Sequence, residues 1–153
     1  MQFPGFPPEP SDNSVQFFFE DIQFPLDREM ELSHWLISVA ENENVPFREL
    51  SCVFCSDNYL LDMNNEYLGH DYYTDIITFP FEDNAVHGDL FISADRVRDN
   101  AVENGVDFHH ELCRVLVHGV LHLCGYGDKT DEDAAQMRAK ENEYLAACPL
   151  LIA

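Results

Sequence analysis

The most apolar part of the chain lies within residues 108–128, which read FHHELCRVLVHGVLHLCGYGD. Apolar residues cover one broad face of this stretch at helical spacing, which predicts a helix from Phe108 to Cys124. Gly125 follows where a glycine commonly ends a helix. His118 and His122 are four residues apart, so both imidazoles lie on one face of the predicted helix. The segment therefore predicts a long helix that carries two histidines close to a turn.

Shorter patterns on both sides predict a small sheet and further helices. Runs of β-branched and aromatic residues predict strands at 15–20, 49–55, 75–81 and 89–92. Helical spacing and capping residues predict helices at 26–44, from 56 onward, at 93–104 and at about 131–147. Together with residues 108–124, this gives about four strands and five helices, an α+β (α/β-type) fold. Residues 1–14 are predicted as a flexible lead-in and residues 15–153 as a single domain.

Composition narrows the classes of function. The 153 residues include 8 Lys+Arg and 29 Asp+Glu, so the formal net charge is −21. Such a charge excludes a protein that coats nucleic acid through a broad basic surface, but it leaves open a local site that binds nucleic acid through a metal ion. Patterns typical of a membrane span or a signal peptide are missing, and the five cysteines favour a reducing, cytoplasmic location. Cys52 and Cys55 fall in a predicted strand, which favours buried thiols over a redox pair.

The two histidines and a nearby carboxylate are candidate metal ligands. After the turn at Gly125, Asp128 can reach the same ion as His118 and His122, and two imidazoles with one carboxylate suit a single Zn²⁺ with a fourth position for water. The alternative is that the histidines are satisfied by backbone carbonyls. Gly119 occupies the position at which an H-E-x-x-H protease carries its general base, so peptide cleavage is disfavoured.

Several motifs together resemble one known family. Residues 118–128 resemble the signature H-G-x-L-H-L-x-G-Y-x-H of the YbeY family of rRNA maturation factors. Residues 74–80, TDIITFP, and 88–93, GDLFIS, resemble two strands of that family, in the same order and spacing. The resemblance covers most of the chain from about residue 58 to residue 144.

The resemblance implies a mixed sheet of about four strands and a zinc-dependent endoribonuclease that is specific for single strands. It also implies a role in 16S rRNA 3′-end maturation and ribosome quality control, with the 16S rRNA precursor and ribosomal proteins as partners and neither DNA nor a membrane. Zinc-bound water is the expected nucleophile, and no side chain is identified as the general base. Asp75 is either a hydrogen-bond partner of a ligating imidazole or a cap at the end of a strand.

The chain departs from the family pattern at two positions. The third ligand of the family is usually His and is here Asp128. An arginine thought to hold RNA is replaced by Leu68, so His70 and Arg114 are the predicted substrate-binding residues. Two alternatives stay open: a ribosome assembly or binding factor whose zinc is not catalytic, and another metal-dependent hydrolase.

Overall fold

A computed structural model describes residues 14–151. Almost all of the predicted lead-in, residues 1–13, lies outside the described residues. The described part contains four strands, β1 (Val15–Phe19), β2 (Phe47–Cys55), β3 (Ile76–Pro80) and β4 (Val86–Ser93). It also contains five helices, α1 (Glu29–Asn42), α2 (Asp57–Leu68), α3 (Ala94–Asn104), α4 (Phe108–Leu123) and α5 (Asp131–Leu145). The predicted order and number of elements are confirmed.

The four strands form one mixed sheet in the order β1-β2-β4-β3. β1 and β2 are parallel, β2 and β4 are parallel, and β3 runs antiparallel to β4. α1 makes the crossover from β1 to β2, as parallel neighbours require. β4 begins earlier than predicted, because the backbone N–H of Val86 donates to the carbonyl of Pro46 at 2.8 Å. That pairing involves a distant segment, which local sequence does not reveal.

Serine and threonine side chains begin three of the helices, as the sequence predicts. Ser56 Oγ accepts from the N–H of Tyr59 at 3.2 Å, and Ser93 Oγ accepts from Arg96 at 3.1 Å. Thr130 Oγ1 does the same at the start of α5. These bonds satisfy N–H groups that have no partner within the helix.

Helix α4 lies in the core, where it packs against β3 and β4 and also contacts α1, α3 and α5. A Cβ placed on Gly119 would stand 2.7 Å from Leu90 Cδ1 and 3.0 Å from Ile76 Cδ1. Glycine at this position therefore lets α4 approach β4 and β3 closely without displacing the ends of these two side chains. On another side of the core, Trp35 Nε1 donates to the carbonyl of Tyr144 at 3.1 Å and joins α1 to α5.

The two remaining structural expectations concern thiols and the membrane. Cys52 and Cys55 are buried and unbridged in β2, which confirms the prediction of structural thiols. Burial raises the pKa of Cys55 to about 12, so this thiol is not a nucleophile. Within residues 14–151, no helix combines the length and the apolar character needed to cross a bilayer.

Candidate active site

The two predicted imidazoles lie side by side at the end of α4. Their rings are parallel within 5°, with centroids 6.4 Å apart. His118 is half-buried and His122 is exposed. Both line a cleft of about 310 Å³ that also contains the predicted residues Asp128, His70 and Asp75. The structure therefore brings all but one of the predicted site residues to one cleft, and the remaining one, Arg114, lines an adjoining cavity.

The orientation of His118 is set by a buried carboxylate on α5. His118 Nδ1 lies 2.8 Å from Glu141 Oε2, and the Glu141 side chain is only 5% exposed. Burial by itself would lower the pKa of His118, but the hydrogen bond and charge of Glu141 outweigh it and raise this pKa above its ordinary value. Burial would likewise raise the pKa of Glu141, but hydrogen bonds from His118 and Arg114 hold it below the usual value. Glu141 is therefore a carboxylate that keeps the Nδ1 proton of His118 in place.

The orientation of His122 is set by the turn that follows α4. Gly125 has φ +109°, a region that favours glycine, and this brings the carbonyl of Tyr126 to 3.0 Å from His122 Nδ1. The hydroxyl of Tyr126 in turn donates to Glu43 Oε1 at 2.6 Å. A carbonyl only accepts, so Nδ1 of His122 carries the proton and Nε2 carries the lone pair when the ring is neutral.

Glu43 connects the turn to the C-terminal helix. Besides Tyr126, its carboxylate accepts a hydrogen bond from the hydroxyl of Tyr144 and one from Lys140 Nζ at 3.2 Å. Burial would raise the pKa of Glu43, but the bonds from Tyr126, Tyr144 and Lys140 outweigh it, so this pKa lies below its ordinary value of 4.5. An ionised Glu43 therefore fixes the turn on which the Tyr126 carbonyl stands.

Asp128 lies beside His118 on the loop after α4. Its Oδ2 is 3.4 Å from His118 Nε2, and its side chain is 43% exposed. Among residues 14–151, no three His, Cys, Asp or Glu side chains form a preassembled metal cluster. The chemistry of the donors nevertheless fits zinc. Both histidines have Nδ1 bound to an oxygen acceptor, the arrangement in which Nε2 serves as the metal ligand, and Asp128 supplies a carboxylate within reach.

Asp75 lies in the same cleft, immediately before β3. Burial raises its pKa, although the charge of nearby His118 acts in the opposite direction. Its backbone carbonyl accepts from the N–H of Ser93 at 2.9 Å, which fixes the start of the strand. The hydrogen bond to the imidazole that the sequence offered to Asp75 is made by Glu141 instead. A functional role for Asp75 stays a prediction.

The two predicted substrate-binding residues differ in their surroundings. Arg114 donates to Glu141 at 3.0 Å and to Asn142 at 2.9 Å, so its guanidinium is engaged within the protein. His70 packs against Tyr72 at the edge of the cleft, with ring centroids 5.1 Å apart. RNA binding by either residue stays a prediction.

The residues that orient the two imidazoles are not among the site residues predicted from the sequence; they are Glu141, Tyr126 and Glu43. The many acidic residues of α5 favour a solvated face, but Glu141 on this helix is 4% exposed. A usable signal was present. Met137, Glu141, Tyr144 and Leu145 are the buried residues of α5, so a carboxylate stands in the apolar stripe of the helix. A charge in that position needs a partner inside the protein.

The sequence and the fold of this chain are similar to those of known proteins. Residues 16–149 match the sequence profile of the family described as Endoribonuclease YbeY. A protein of that name from Cytophaga hutchinsonii is 47% identical over 137 residues, covering 88% of this chain and 96% of the relative. Another, from Flavobacterium psychrophilum, is 46% identical, covering 86% and 94%. The solution structure of a Thermotoga maritima protein aligns with TM-score 0.61 and 26% identity over 86% of both chains.

Proposed function

The chain belongs to the YbeY family of endoribonucleases, and from that premise we propose that it cleaves single-stranded RNA with one zinc ion held by His118, His122 and Asp128. One observation carries the zinc site. The Nδ1 atoms of the two imidazoles are bound to Glu141 and to the Tyr126 carbonyl, which leaves both Nε2 atoms for a metal. Asp128 is exposed enough to change its rotamer without disturbing the core.

The chain's own residues prepare this chemistry. Zinc held by His118, His122 and Asp128 would supply an activated water at near-neutral pH and would polarise a phosphoryl oxygen. Glu141 holds the proton on Nδ1 of His118 and thereby makes Nε2 the donor atom. Asp75 lines the same cleft as the two imidazoles, and burial raises its pKa.

Gly119 argues against a peptidase. The Glu that acts as base in an H-E-x-x-H protease would have to stand at this position. The Leu90 and Ile76 side chains fill the space that its first carbon would need. Cleavage of a phosphodiester without a base on this helix is therefore the better fit.

The proposed setting is 16S rRNA 3′-end maturation and ribosome quality control in the cytoplasm. A formal net charge of −21 repels a phosphate backbone over most of the surface. The same charge attracts basic ribosomal proteins, which gives an acidic nuclease a way to approach its substrate on the ribosome.

The test is cleavage of a single-stranded RNA by the full chain with zinc, with chelator, and with His122→Ala. His109→Ala is the matched control, because His109 is exposed on the same helix, about 20 Å from His122. We expect cleavage with zinc and with His109→Ala, and loss of it with chelator and with His122→Ala. Cleavage that persists in His122→Ala would place the chemistry elsewhere. Co-sedimentation with ribosomes without any cleavage would favour an assembly factor.

A further inference from the structure

Large aromatic side chains are exposed beside the catalytic cleft. The connection between α2 and β3, residues 69–75, is here called the aromatic loop. Tyr72 is 56% exposed and Tyr73 is 52% exposed. Single exposed aromatic residues are common on protein surfaces, but these two lie next to the proposed nuclease site.

The aromatic loop is fixed to α2 by one buried side chain. Asn64 is 2% exposed, and its Nδ2 donates to the carbonyl of Tyr72 at 2.9 Å. The backbone carbonyl of Asn64 accepts from the N–H of His70 at 3.1 Å. Gly69, with φ +67°, allows the chain to turn between these two bonds. The loop therefore presents its rings in a set position and does not need to be ordered by a ligand.

Two of the rings form a flat pair at the cleft. The His70 and Tyr72 rings lie within 18° of parallel, with centroids 5.1 Å apart. The hydroxyl of Tyr72 is 3.0 Å from His70 Nδ1, which holds the pair in register. Both residues line the same cleft as His118 and His122. One side of the Tyr72 ring packs on His70, while more than half of the residue's surface stays accessible.

The charge of the protein favours stacking over phosphate contacts as the way to hold RNA. The chain has only 8 Lys+Arg, and Arg114, the guanidinium nearest His118 in sequence, is bound to Glu141. Stacking of a base on an aromatic ring needs no positive charge and tolerates any sequence. It also needs an unpaired base, because the faces of bases inside a duplex are already covered.

We infer that Tyr72, supported by His70, is a stacking platform that holds an unpaired nucleobase of the RNA next to the catalytic cleft. This inference rests on the proposed endoribonuclease function and deepens it, since it gives a physical origin for single-strand specificity. The aromatic platform binds RNA through stacking, because the chain has few basic residues to bind it through phosphate contacts.

The test compares two short RNA oligonucleotides that differ in one position. One carries 2-aminopurine, whose fluorescence falls when it stacks, and the other is abasic there. Their binding is measured with the full chain in zinc and again in chelator, so that a failure of cleavage is recorded separately from a failure of binding. Tyr72→Ala removes the ring, Tyr72→Phe keeps the ring, and Phe81→Ala is the control. Phe81 is 58% exposed and follows the other end of β3, about 17 Å away along the strand.

We expect the wild-type chain to bind the 2-aminopurine strand more tightly than the abasic strand and to quench it. Tyr72→Ala is expected to weaken binding of the 2-aminopurine strand about 5- to 150-fold, to raise KM for cleavage and to leave the abasic strand unaffected. Phe81→Ala should behave like the wild type. Tyr72→Phe keeps the ring but loses the contact with His70 Nδ1, so it should retain quenching of the 2-aminopurine strand and bind it more tightly than Tyr72→Ala does. Equal affinity of the wild type for the two strands, no binding of either, or unchanged quenching in Tyr72→Ala would overturn the inference. Base-dependent binding without cleavage would uphold the platform and reject the nuclease proposal.

Discussion

Replacement of Glu141 by Gln tests whether the buried carboxylate on α5 prepares His118 to bind metal. Gln has the same shape, but one of its two terminal atoms is a donor instead of an acceptor. His118 Nδ1 and Arg114 Nη1 both donate to Glu141, at 2.8 Å and 3.0 Å. Either the bond from Arg114 is lost, or the Gln amide nitrogen faces His118. In the second case the charge-assisted bond is lost and Nδ1 accepts instead, so the ring proton moves to Nε2, the proposed metal-binding atom.

The magnitude follows from the kind of bond that is lost. A hydrogen bond to a charged group contributes about 1.5–3 kcal/mol, so the metal-free protein should lose about that much stability. Loss of a residue that orients a metal-binding histidine lowers metal affinity by about 10- to 100-fold. We therefore expect zinc to bind Glu141→Gln more weakly by about 1.4–2.8 kcal/mol.

Zinc affinity is measured by competition with a chromogenic chelator, and stability by urea unfolding of the metal-free protein. Glu143→Gln is the matched control, because Glu143 lies on the same helix, is 63% exposed and pairs only loosely with Lys140 at 3.6 Å. Its effect on stability should stay within about 0.5 kcal/mol. Zinc affinity of Glu141→Gln equal to that of the control would refute the reasoning, because His118 would then need no orienting carboxylate.

Three further predictions concern the core, the turn and the third ligand. Gly119→Ala should lower the free energy of unfolding by up to about 2 kcal/mol. Crowding of the new methyl group against Leu90 destabilises the fold by about 1–3 kcal/mol, and the higher helix propensity of alanine offsets about 1 kcal/mol of this. A variant that is more stable than the wild type in urea unfolding would contradict this prediction. The pKa of Glu43 is lowered in the folded protein, so its contribution is complete above about pH 4.5 and is lost as the pH falls through the folded-state pKa. The Tm difference between wild type and Glu43→Gln should therefore shrink as the pH falls below about 4.5, and a constant difference would show that ionisation of Glu43 is irrelevant. Asp128→Ala should reduce bound zinc, measured by elemental analysis, whereas Asp128→His should retain it; full zinc content in Asp128→Ala would exclude Asp128 as a ligand.

The parts of the site that the sequence predicted are those encoded by short spacing. His118 and His122 share a helical face because residues four apart always do, and Gly125 marks the turn that brings Asp128 near. Glu141 could not be found in that way. Its partner lies on another helix, and the acidic residues around it hide the one carboxylate that is buried.

The same distinction between local and distant contacts holds for the fold. Capping residues and hydrophobic spacing placed the helices within a few residues of their observed ends. The strand order β1-β2-β4-β3 depends on pairing between segments far apart in sequence, for example Cys52 opposite Leu90. A pattern within one strand does not identify its neighbour, so only the resemblance to a family predicted a mixed sheet.

Because His118 depends on Glu141 for its orientation, the site can form only after the C-terminal helix α5 has been synthesised. A ribosome adds about 5–20 residues per second, so both histidines are in the nascent chain about one to four seconds before Glu141. During that interval His118 has no carboxylate to fix its ring. A protein proposed to cut ribosomal RNA would thus complete its site only after α5 has been translated and has emerged from the ribosome.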